Sequence, residues 1–141
     1  MTKRIAALGL ALAGALFGMA LVAAAARGEE KGKVVTDPQG NEMVTYYLGL
    51  LKRGPKWTPE RTPETAEIQK GHMAHIQKTH AEGKLVVAGP IADDSDLRGI
   101  LVYKVPALDE ARALAEADPA VKAGRLVVEL HPWMVQKGVL P

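Results

Sequence analysis

The most constraining feature of this sequence is the order of its hydrophobic patterns after residue 42. Four short runs rich in Val, Leu, Ile and Tyr have the composition of strands, and segments with helical periodicity separate them in the order β-α-β-β-α-β. Because β-α-β crossovers are right-handed, this order predicts an α+β, ferredoxin-like split sandwich. In that fold, two helices cover one face of a four-stranded antiparallel sheet.

The strand predictions depend on where turn residues interrupt the runs of β-branched and aromatic residues. Gly89-Pro90 is expected to stop the second strand, and Gly54, Pro55 and Pro59 indicate a stiff loop over residues 52–62. The predicted strands are 43–51, 84–88, 99–105 and 125–130, with a second helix at 109–117 and a short turn at 120–124.

The first helix has clear start and stop signals. Thr62 can cap free backbone amides, Pro63 suits the first helical turn, and Gly83 is a typical stop after about Glu82. Gly71 lies inside this helix and costs about 1 kcal/mol relative to alanine, which indicates close packing against another element. The apolar face of the helix carries Ile68, His72, His75, Ile76 and Thr79, flanked by Met73 and His80.

The first 26 residues differ in composition from the rest of the chain. Lys3 and Arg4 precede an uncharged stretch that ends in four alanines, which is the layout of a secretory signal peptide. An uncleaved membrane anchor is the alternative, because this stretch could just cross a bilayer. We therefore expect a periplasmic or secreted protein. The predicted organisation is a signal peptide at 1–26, a flexible linker at 27–42, a folded domain at 43–135 and a C-terminal tail at 136–141.

Charge and cysteine content exclude several classes of function. The 141-residue chain has 18 Lys and Arg against 16 Asp and Glu, and Lys3 and Arg4 account for the difference. The remainder is neutral, so no nucleic acid is expected as a partner, and no membrane beyond the N-terminal leader. The chain has no cysteine, which excludes disulfides, thiol nucleophiles and zinc–thiolate sites. No dinucleotide or phosphate-loop motif is present, and we expect no cofactor.

Two predicted strands suggest how the chain assembles. Residues 85–88 and 126–128 are apolar without interruption, which is typical of strands buried on both faces. Since two helices can cover only one face of the sheet, we expect the other face to meet a second copy in a homodimer. The alternative is that residues 27–42 or 131–141 fold over that face.

The predicted topology brings several loops to one end of the sheet. Loop 52–62, His72, loop 89–98 and Asp118 are expected to converge there. A His–Asp pair is the minimal apparatus for general acid–base catalysis near neutral pH, so His72 and Asp118 are the candidate catalytic residues. In the alternative interpretation, the histidine bonds a backbone carbonyl and the aspartate only shapes the turn before Pro119.

The same loops supply candidate binding residues. Lys52, Arg53 and Arg98 could hold an anionic group of a small-molecule ligand or substrate, and Trp57 could close over it. Gly89 and Pro90 complete the predicted substrate-binding set. Solvated surface charges and a tryptophan that pins its loop are the alternatives.

Metal binding is a minor alternative. His72 and His75 are spaced to share an ion on one helix face, but zinc usually needs a third protein ligand, so no metal site is assigned. Residues 93–98 have three aspartates but lack the glycine and the glutamate of a calcium loop.

From Tyr46 to Trp133, the sequence resembles the YCII-related (YciI-like) family. The resemblance implies a dimeric α+β barrel of ferredoxin-like subunits, a pocket whose family histidine aligns with His72, and Asp118 as its partner. One branch of the family looks like a dehydrochlorinase that acts on chlorinated hydroxyquinols. The matching pieces are Tyr46-Tyr47, Gly54-Pro55-Lys56-Trp57, His72, Glu82-Gly83-Lys84-Leu85, Ala88-Gly89-Pro90, Ala117-Asp118-Pro119 and Ala123-Gly124.

This sequence departs from the cytoplasmic members, which often have an acidic residue just after the first strand, where Lys52-Arg53 stands here. From the converging loops and the histidine that the resemblance implies, we expect a small cofactor-independent enzyme of the cell envelope. In this enzyme, His72 transfers a proton and Asp118 orients its ring. The expected reaction is that of a lyase, an isomerase or a dehalogenase on a small aromatic or dicarbonyl compound. The alternative is a non-catalytic, dimeric module that binds a small ligand.

Overall fold

The computed structural model describes residues 35–141. The predicted signal peptide at 1–26, and residues 27–34 of the predicted linker, lie outside the described residues. Within residues 35–141, no helix has both the length and the apolar character needed to cross a membrane. The elements are β1 (Val35–Thr36), β2 (Glu42–Arg53), α1 (Pro63–Ala81), β3 (Leu85–Pro90), β4 (Leu97–Tyr103), α2 (Leu108–Glu116), α3 (Pro119–Lys122) and β5 (Leu126–Gln136).

The sheet has the strand order β5-β2-β4-β3, and all neighbouring strands are antiparallel. Helix α1 connects β2 to β3, and α2 with α3 connects β4 to β5. This is the ferredoxin-like α+β fold that the sequence predicts. The longest pairing joins β2 to β5, from Met43–Gln136 to Arg53–Leu126. Because of this register, the end of β2 and the start of β5 lie side by side at one end of the sheet.

The main hydrophobic core lies between the helices and one face of the sheet. Its large members come from the strands, and Ala111 and Ala115 on α2 are small enough to let that helix pack closely. Full burial of a leucine such as Leu101 contributes about 1.5–3 kcal/mol to stability. The buried members are Tyr47, Leu51, Leu85, Leu101, Tyr103, Val105, Ala111, Ala115, Ala120 and Leu126.

Helix α1 begins and ends where its sequence signals predict. The Thr62 side chain accepts a hydrogen bond from the Thr65 amide at 3.1 Å, and the Thr65 hydroxyl accepts one from the Thr62 amide at 2.9 Å. Pro63 occupies the first turn, where no intrahelical amide bond is needed. Gly83 follows the helix with a φ of 71°, a left-handed conformation that favours glycine.

Three boundary predictions are wrong. Gly89 and Pro90 do not stop the second strand but belong to β3, opposite Ile100 and Gly99. Proline is tolerated there because β3 is an edge strand, whose outer amides have no partner strand. The predicted turn at 120–124 begins instead with one turn of helix, α3. The last strand continues past Leu130 to Gln136 because β2 pairs with it throughout.

The described part of the predicted linker also has defined structure. Val35 and Thr36 pair with the start of β2. The Asp37 carboxylate accepts hydrogen bonds from the amides of Gln39 and Asn41 at 2.9 and 2.8 Å, which closes a tight turn. The folded unit therefore starts before residue 43, the predicted domain boundary.

The second face of the sheet, here called the outer face, is only partly covered. Tyr46, Val102 and Val135 are buried there, and the C-terminal Leu140 packs against them. The Tyr46 hydroxyl donates to the backbone oxygen of Pro141 at 3.0 Å. The alternative prediction, that the C-terminal segment folds over this face, is thus correct for one part of it.

Candidate active site

The site is built around a buried pair of side chains, His72 on α1 and Asp118 just before α3. The Nδ1 atom of His72 lies 2.7 Å from Oδ2 of Asp118. The exposed fractions are 8% for His72 and 1% for Asp118. The other carboxylate oxygen, Oδ1, accepts a hydrogen bond from the Ala120 amide at 2.8 Å. Both oxygens of Asp118 are therefore held, which fixes the direction from which the carboxylate meets the ring.

Local sequence explains how the two residues come together. Asp118 is the N-cap of α3, and Pro119 occupies the first turn of that helix. Gly71 of α1 faces Pro119, and a Cβ atom at position 71 would lie 3.1 Å from Cγ of Pro119. The close approach that the glycine predicts is therefore between α1 and the start of α3. This approach is what brings His72 within hydrogen-bond distance of Asp118.

The pairing fixes the proton arrangement of the imidazole. A carboxylate accepts hydrogen bonds, so Nδ1 donates and, in the neutral ring, Nε2 has a free lone pair. Among residues 35–141, every buried side-chain nitrogen or oxygen has a hydrogen-bond partner, whereas Nε2 of His72 has none. Nε2 therefore keeps accessible surface, and His72 lines a cleft. The ring presents a proton acceptor to that cleft.

Tyr103 lies in the core near this pair and is 2% exposed. Burial, with a smaller contribution from the charge of Asp118, raises the pKa of Tyr103 far above its ordinary value of about 10. The phenol therefore remains protonated at every physiological pH.

The cleft that His72 lines has a volume of about 380 Å³, within the range of small-molecule sites. It lies between α1 and the ends of β2, β3 and β4, and most of its wall is apolar. Polar groups come from Gln69, His72 and Arg98. The full lining is Leu51, Trp57, Gln69, His72, Met73, Ile76, Ala88, Gly89, Pro90, Arg98, Gly99, Ile100, Leu101 and Leu126.

Three guanidinium groups surround the Trp57 ring and form what we call the arginine cluster: Arg53, Arg98 and Arg125. Their Cζ atoms lie 5.7, 5.3 and 5.3 Å from the ring centroid, within cation–π distance. Each group donates to one backbone carbonyl, of Asp94, Asp93 and Thr58 respectively. Among residues 35–141, none of the three forms a salt bridge. The cluster therefore places three cations beside the cleft, and the exposed Asp93 carboxylate lies near enough to Arg98 to interact with its charge.

A backbone clamp holds Trp57 in place. The Gly54 amide donates to the Arg125 carbonyl at 2.8 Å, and the Lys56 amide donates to the Gly124 carbonyl at 2.9 Å. A Cβ atom at Gly54 would lie 2.3 Å from the Gly124 oxygen, so only glycine permits this approach. These backbone bonds fix the loop, and the Trp57 side chain packs against the core and forms a wall of the cleft.

The structure brings together most of the predicted site residues. Trp57, His72, Gly89, Pro90 and Arg98 line the cleft, and Asp118 lies behind His72. Arg53 is not part of the lining but belongs to the arginine cluster. The catalytic and binding roles of these residues stay predictions.

The other helix histidines have backbone partners. Nε2 of His75 lies 2.9 Å from the Leu114 carbonyl, and Nδ1 of His80 lies 2.8 Å from the Leu85 carbonyl. In the part of the chain that the structure describes, no three His, Cys, Asp or Glu side chains form a group that could hold a metal ion.

Sequence reasoning missed Gln69, Met73 and Arg125 as parts of this region. Gln69 and Met73 are close to His72 in the helical repeat, so their place beside the cleft follows once His72 is chosen. Arg125 precedes β5, and the pairing of Arg53 with Leu126 puts it at the same end of the sheet as Arg53. The predicted strand order contains that signal.

The chain is similar to several known proteins. The family model described as YCII-related domain matches residues 45–134. YjpA of Bacillus subtilis, an uncharacterised protein, is 29% identical over 95 residues, which are 67% of this chain and all of YjpA. YciI of Escherichia coli is 37% identical over 65 residues, 40% of this chain and 66% of YciI. A 5-chloro-2-hydroxyhydroquinone dehydrochlorinase of Burkholderia phenoliruptrix, solved with 2,5-dihydroxybenzoquinone, aligns with a TM-score of 0.45 and 22% identity, covering 64% of this chain and 93% of its own.

Proposed function

Because this chain belongs to the YCII-related domain family, we propose that it is a cofactor-independent enzyme in which His72 and Asp118 act as an acid–base pair. The observation that carries the proposal is the 2.7 Å contact between His72 Nδ1 and Asp118 Oδ2, in a ring whose other edge lines a cleft. Such a pair near neutral pH transfers protons to and from a bound substrate.

The geometry assigns a role to each atom of the pair. Nε2 takes a proton from a C–H or O–H group of the substrate, and the resulting imidazolium is stabilised by the Asp118 carboxylate at Nδ1. Return of the proton to a different substrate atom gives an isomerisation. Departure of a leaving group with its electron pair gives an elimination, as in a lyase or a dehalogenase.

The arginine cluster supports a small anionic substrate. Arg98 is half-buried, lines the same cleft as His72 and has no carboxylate partner within residues 35–141. A guanidinium binds a carboxylate or a similar planar anion through two parallel hydrogen bonds. The apolar walls and the Trp57 ring favour a substrate with an aromatic or other flat body.

We also propose that the chain acts in the periplasm or outside the cell, as a homodimer that packs through the outer face. The composition of residues 1–26 supports the location. On the outer face, Leu48, Leu50 and Ile100 are half-exposed, and Trp133, opposite Tyr46, is 40% exposed. We expect Leu50→Lys to convert a dimer into a monomer in light scattering, and Val35→Lys to leave the mass unchanged; an unchanged mass for Leu50→Lys would contradict the dimer.

The catalytic proposal is tested with compounds that contain a proton of suitable acidity. The full chain is incubated in D₂O with small anionic carbon acids and with halogenated hydroxyaromatic acids. NMR follows deuterium incorporation, and halide release is measured in parallel. At a substrate that reacts, we expect His72→Gln to lower the rate by about 10²–10⁴-fold, the usual contribution of a general base. The control His80→Gln changes an exposed histidine of the same helix that does not line the cleft, and it should keep the rate.

A non-catalytic, dimeric ligand-binding module is the second candidate. The arginine cluster favours it, because it provides binding charge without depending on His72. Tight binding of an anionic aromatic compound with no exchange and no halide release would support this module. Equal rates for the parent protein and His72→Gln would also refute the acid–base role.

A further inference from the structure

A second cavity adjoins the cleft and is here called the outer cavity. It is lined by α1 and the loop before that helix, and it is distinct from the outer face of the sheet. It has a volume of about 800 Å³ and lies along the first turns of α1 and the loop that precedes them. Three residues, Trp57, Gln69 and Met73, line both cavities. The full lining of the outer cavity is Trp57, Thr58, Pro59, Glu60, Arg61, Thr65, Ala66, Gln69, Lys70, Met73 and Arg125. A ligand in the cleft can therefore extend past these shared residues without leaving the protein surface.

The charged residues divide between the two cavities. Arg98 lines the cleft and Arg125 lines the outer cavity, yet each guanidinium lies 5.3 Å from the same Trp57 centroid. Arg61 and Lys70 add two further cations to the outer cavity, against the carboxylate of Glu60 in the lining and that of Glu67, which lies 3.8 Å from Lys70. The outer cavity thus carries an excess of positive charge, which favours an anionic occupant.

The arrangement of the cluster also favours an occupant with two anionic groups. Like charges held around one ring repel each other, and the cation–π attraction of the indole offsets only part of that repulsion. One anion beside Arg98 leaves the charge of Arg125 uncompensated, since within residues 35–141 the Arg125 guanidinium donates only to the neutral Thr58 carbonyl. A second anion in the outer cavity would neutralise it.

We propose that the outer cavity is a second subsite, which binds the distal anionic group of an elongated substrate. The reacting end of that substrate lies beside His72, and Trp57 supports the segment between the two ends. The substrate class is therefore an extended dianion, such as a flat molecule with a carboxylate at each end. The inference rests on the proposed function for the identity of the reacting end, and Arg125 is its specificity-determining residue.

The test compares dianions with monoanions of the same shape. Terephthalate and biphenyl-4,4′-dicarboxylate are titrated into the full chain by calorimetry, each beside its monoamide, which keeps the shape and loses one charge. We expect at least one dianion to bind about tenfold or more tightly than its monoamide, the effect of one charge-assisted contact. Equal binding of every pair, or no binding of any dianion, would overturn the inference.

Variants locate the effect. We expect Arg125→Gln to abolish the preference for the dianion while the affinity for the monoamide stays within about twofold. Arg125 also donates a hydrogen bond to the Thr58 carbonyl, so its loss could act through the loop. The double variant Arg61→Gln/Lys70→Gln tests the same subsite and leaves that bond in place. It should reduce the preference for the dianion. Lys104→Gln, a charge change that lines neither cavity, is the control. If the preference for the dianion survives both Arg125→Gln and the double variant, the inference of a second subsite is wrong.

The outcomes separate this inference from the proposed function. His72→Gln should retain the dianion preference, because binding of the distal group does not require proton transfer. Monoanions that bind through Arg98 with no dianion preference would refute the second subsite and leave the acid–base proposal intact. A clear dianion preference in a protein that exchanges no proton would support the subsite and refute the acid–base proposal.

Discussion

Helix α1 carries three histidines, and their ring nitrogens have partners of two kinds. His72 faces the carboxylate of Asp118, whereas His75 and His80 face the backbone carbonyls of Leu114 and Leu85. Each pairing orients the ring and selects a tautomer. Only the carboxylate carries a full negative charge, so His72 is the only one of the three whose hydrogen bond is to a charged partner.

The difference shows why spacing along a helix does not identify a catalytic histidine. His75 and His80 lie on or beside the same apolar face as His72, and all three rings have one hydrogen bond of 2.7–2.9 Å. What distinguishes His72 is a charged partner on one side and a cleft on the other.

The largest effect is expected for Asp118→Asn. An asparagine can turn its amide N–H toward Nδ1 of His72, so the ring proton moves to Nε2 and the base facing the cleft is lost. In another enzyme, a serine protease that relies on such a pair, the equivalent change lowers the rate by about 10⁴-fold. We expect a loss of about 10³–10⁴-fold in the exchange rate of a substrate that reacts.

The tautomer provides a readout that does not depend on activity. Nitrogen NMR of His72 above neutral pH should show the proton on Nδ1 in the parent protein and on Nε2 in Asp118→Asn. An unchanged tautomer would contradict the assigned role of Asp118. The rings of His75 and His80 should give the same spectrum in both proteins, because their carbonyl partners are not altered.

The next effect concerns the approach of α1 to α3. Gly71→Ala adds a Cβ atom about 3.1 Å from Pro119 Cγ, so the helix must shift or Pro119 must give way. Alanine would favour the helix by about 1 kcal/mol, but such overpacking costs about 1–3 kcal/mol. We expect a net loss of unfolding free energy of about 1 kcal/mol and a weaker His72–Asp118 hydrogen bond.

A matched control is Gly89→Ala, where an added Cβ atom meets nothing within 4 Å. Urea unfolding of this variant should give the parent stability or slightly more. If Gly71→Ala proves as stable as Gly89→Ala, the contact with Pro119 does not set the position of His72.

The backbone-bonded histidines should behave differently from His72. His75→Asn, whose amide is one carbon shorter than that of glutamine and does not reach as far as Nε2, removes the bond between α1 and the Leu114 carbonyl of α2, which contributes about 0.5–1.5 kcal/mol. We therefore expect a loss of about 1 kcal/mol in urea unfolding with an exchange rate within a few-fold of the parent. A rate loss as large as that of His72→Gln would remove the distinction between the two kinds of histidine.

Much of the fold and the central pair could be predicted from the sequence. Thr62, Pro63 and Gly83 are local signals, so the ends of α1 follow from capping chemistry alone. The order of strands and helices fixes the ferredoxin-like topology, and that topology puts His72 and Asp118 at the same end of the sheet. Their contact also requires that residue 71 has no side chain. The sequence indicates only that a glycine is unusual at this position in a helix.

The features that the local sequence does not predict depend on contacts between residues far apart in the chain. Local turn chemistry predicts that Gly89-Pro90 ends a strand, but the edge position of β3 lets the strand continue. The arginine cluster depends on a clamp between Gly54 and Gly124, which are 70 residues apart in the sequence. No local pattern shows that Arg125 reaches the Trp57 ring.

The smallest effect is expected for Tyr103, which reports the charge on Asp118. Burial and then this charge raise the pKa of Tyr103 in the folded protein above that in the unfolded chain, about 10. Above pH 10 the unfolded chain therefore loses this proton first, and folding stability falls as pH rises, by at most about 1.4 kcal/mol per pH unit from this group. Tyr103→Phe should lack this contribution in urea unfolding at alkaline pH. Asp118→Asn removes only the smaller cause, so its fall in stability above pH 10 should be nearly as steep as that of the parent protein; a fall as shallow as that of Tyr103→Phe would mean that burial is not the main cause.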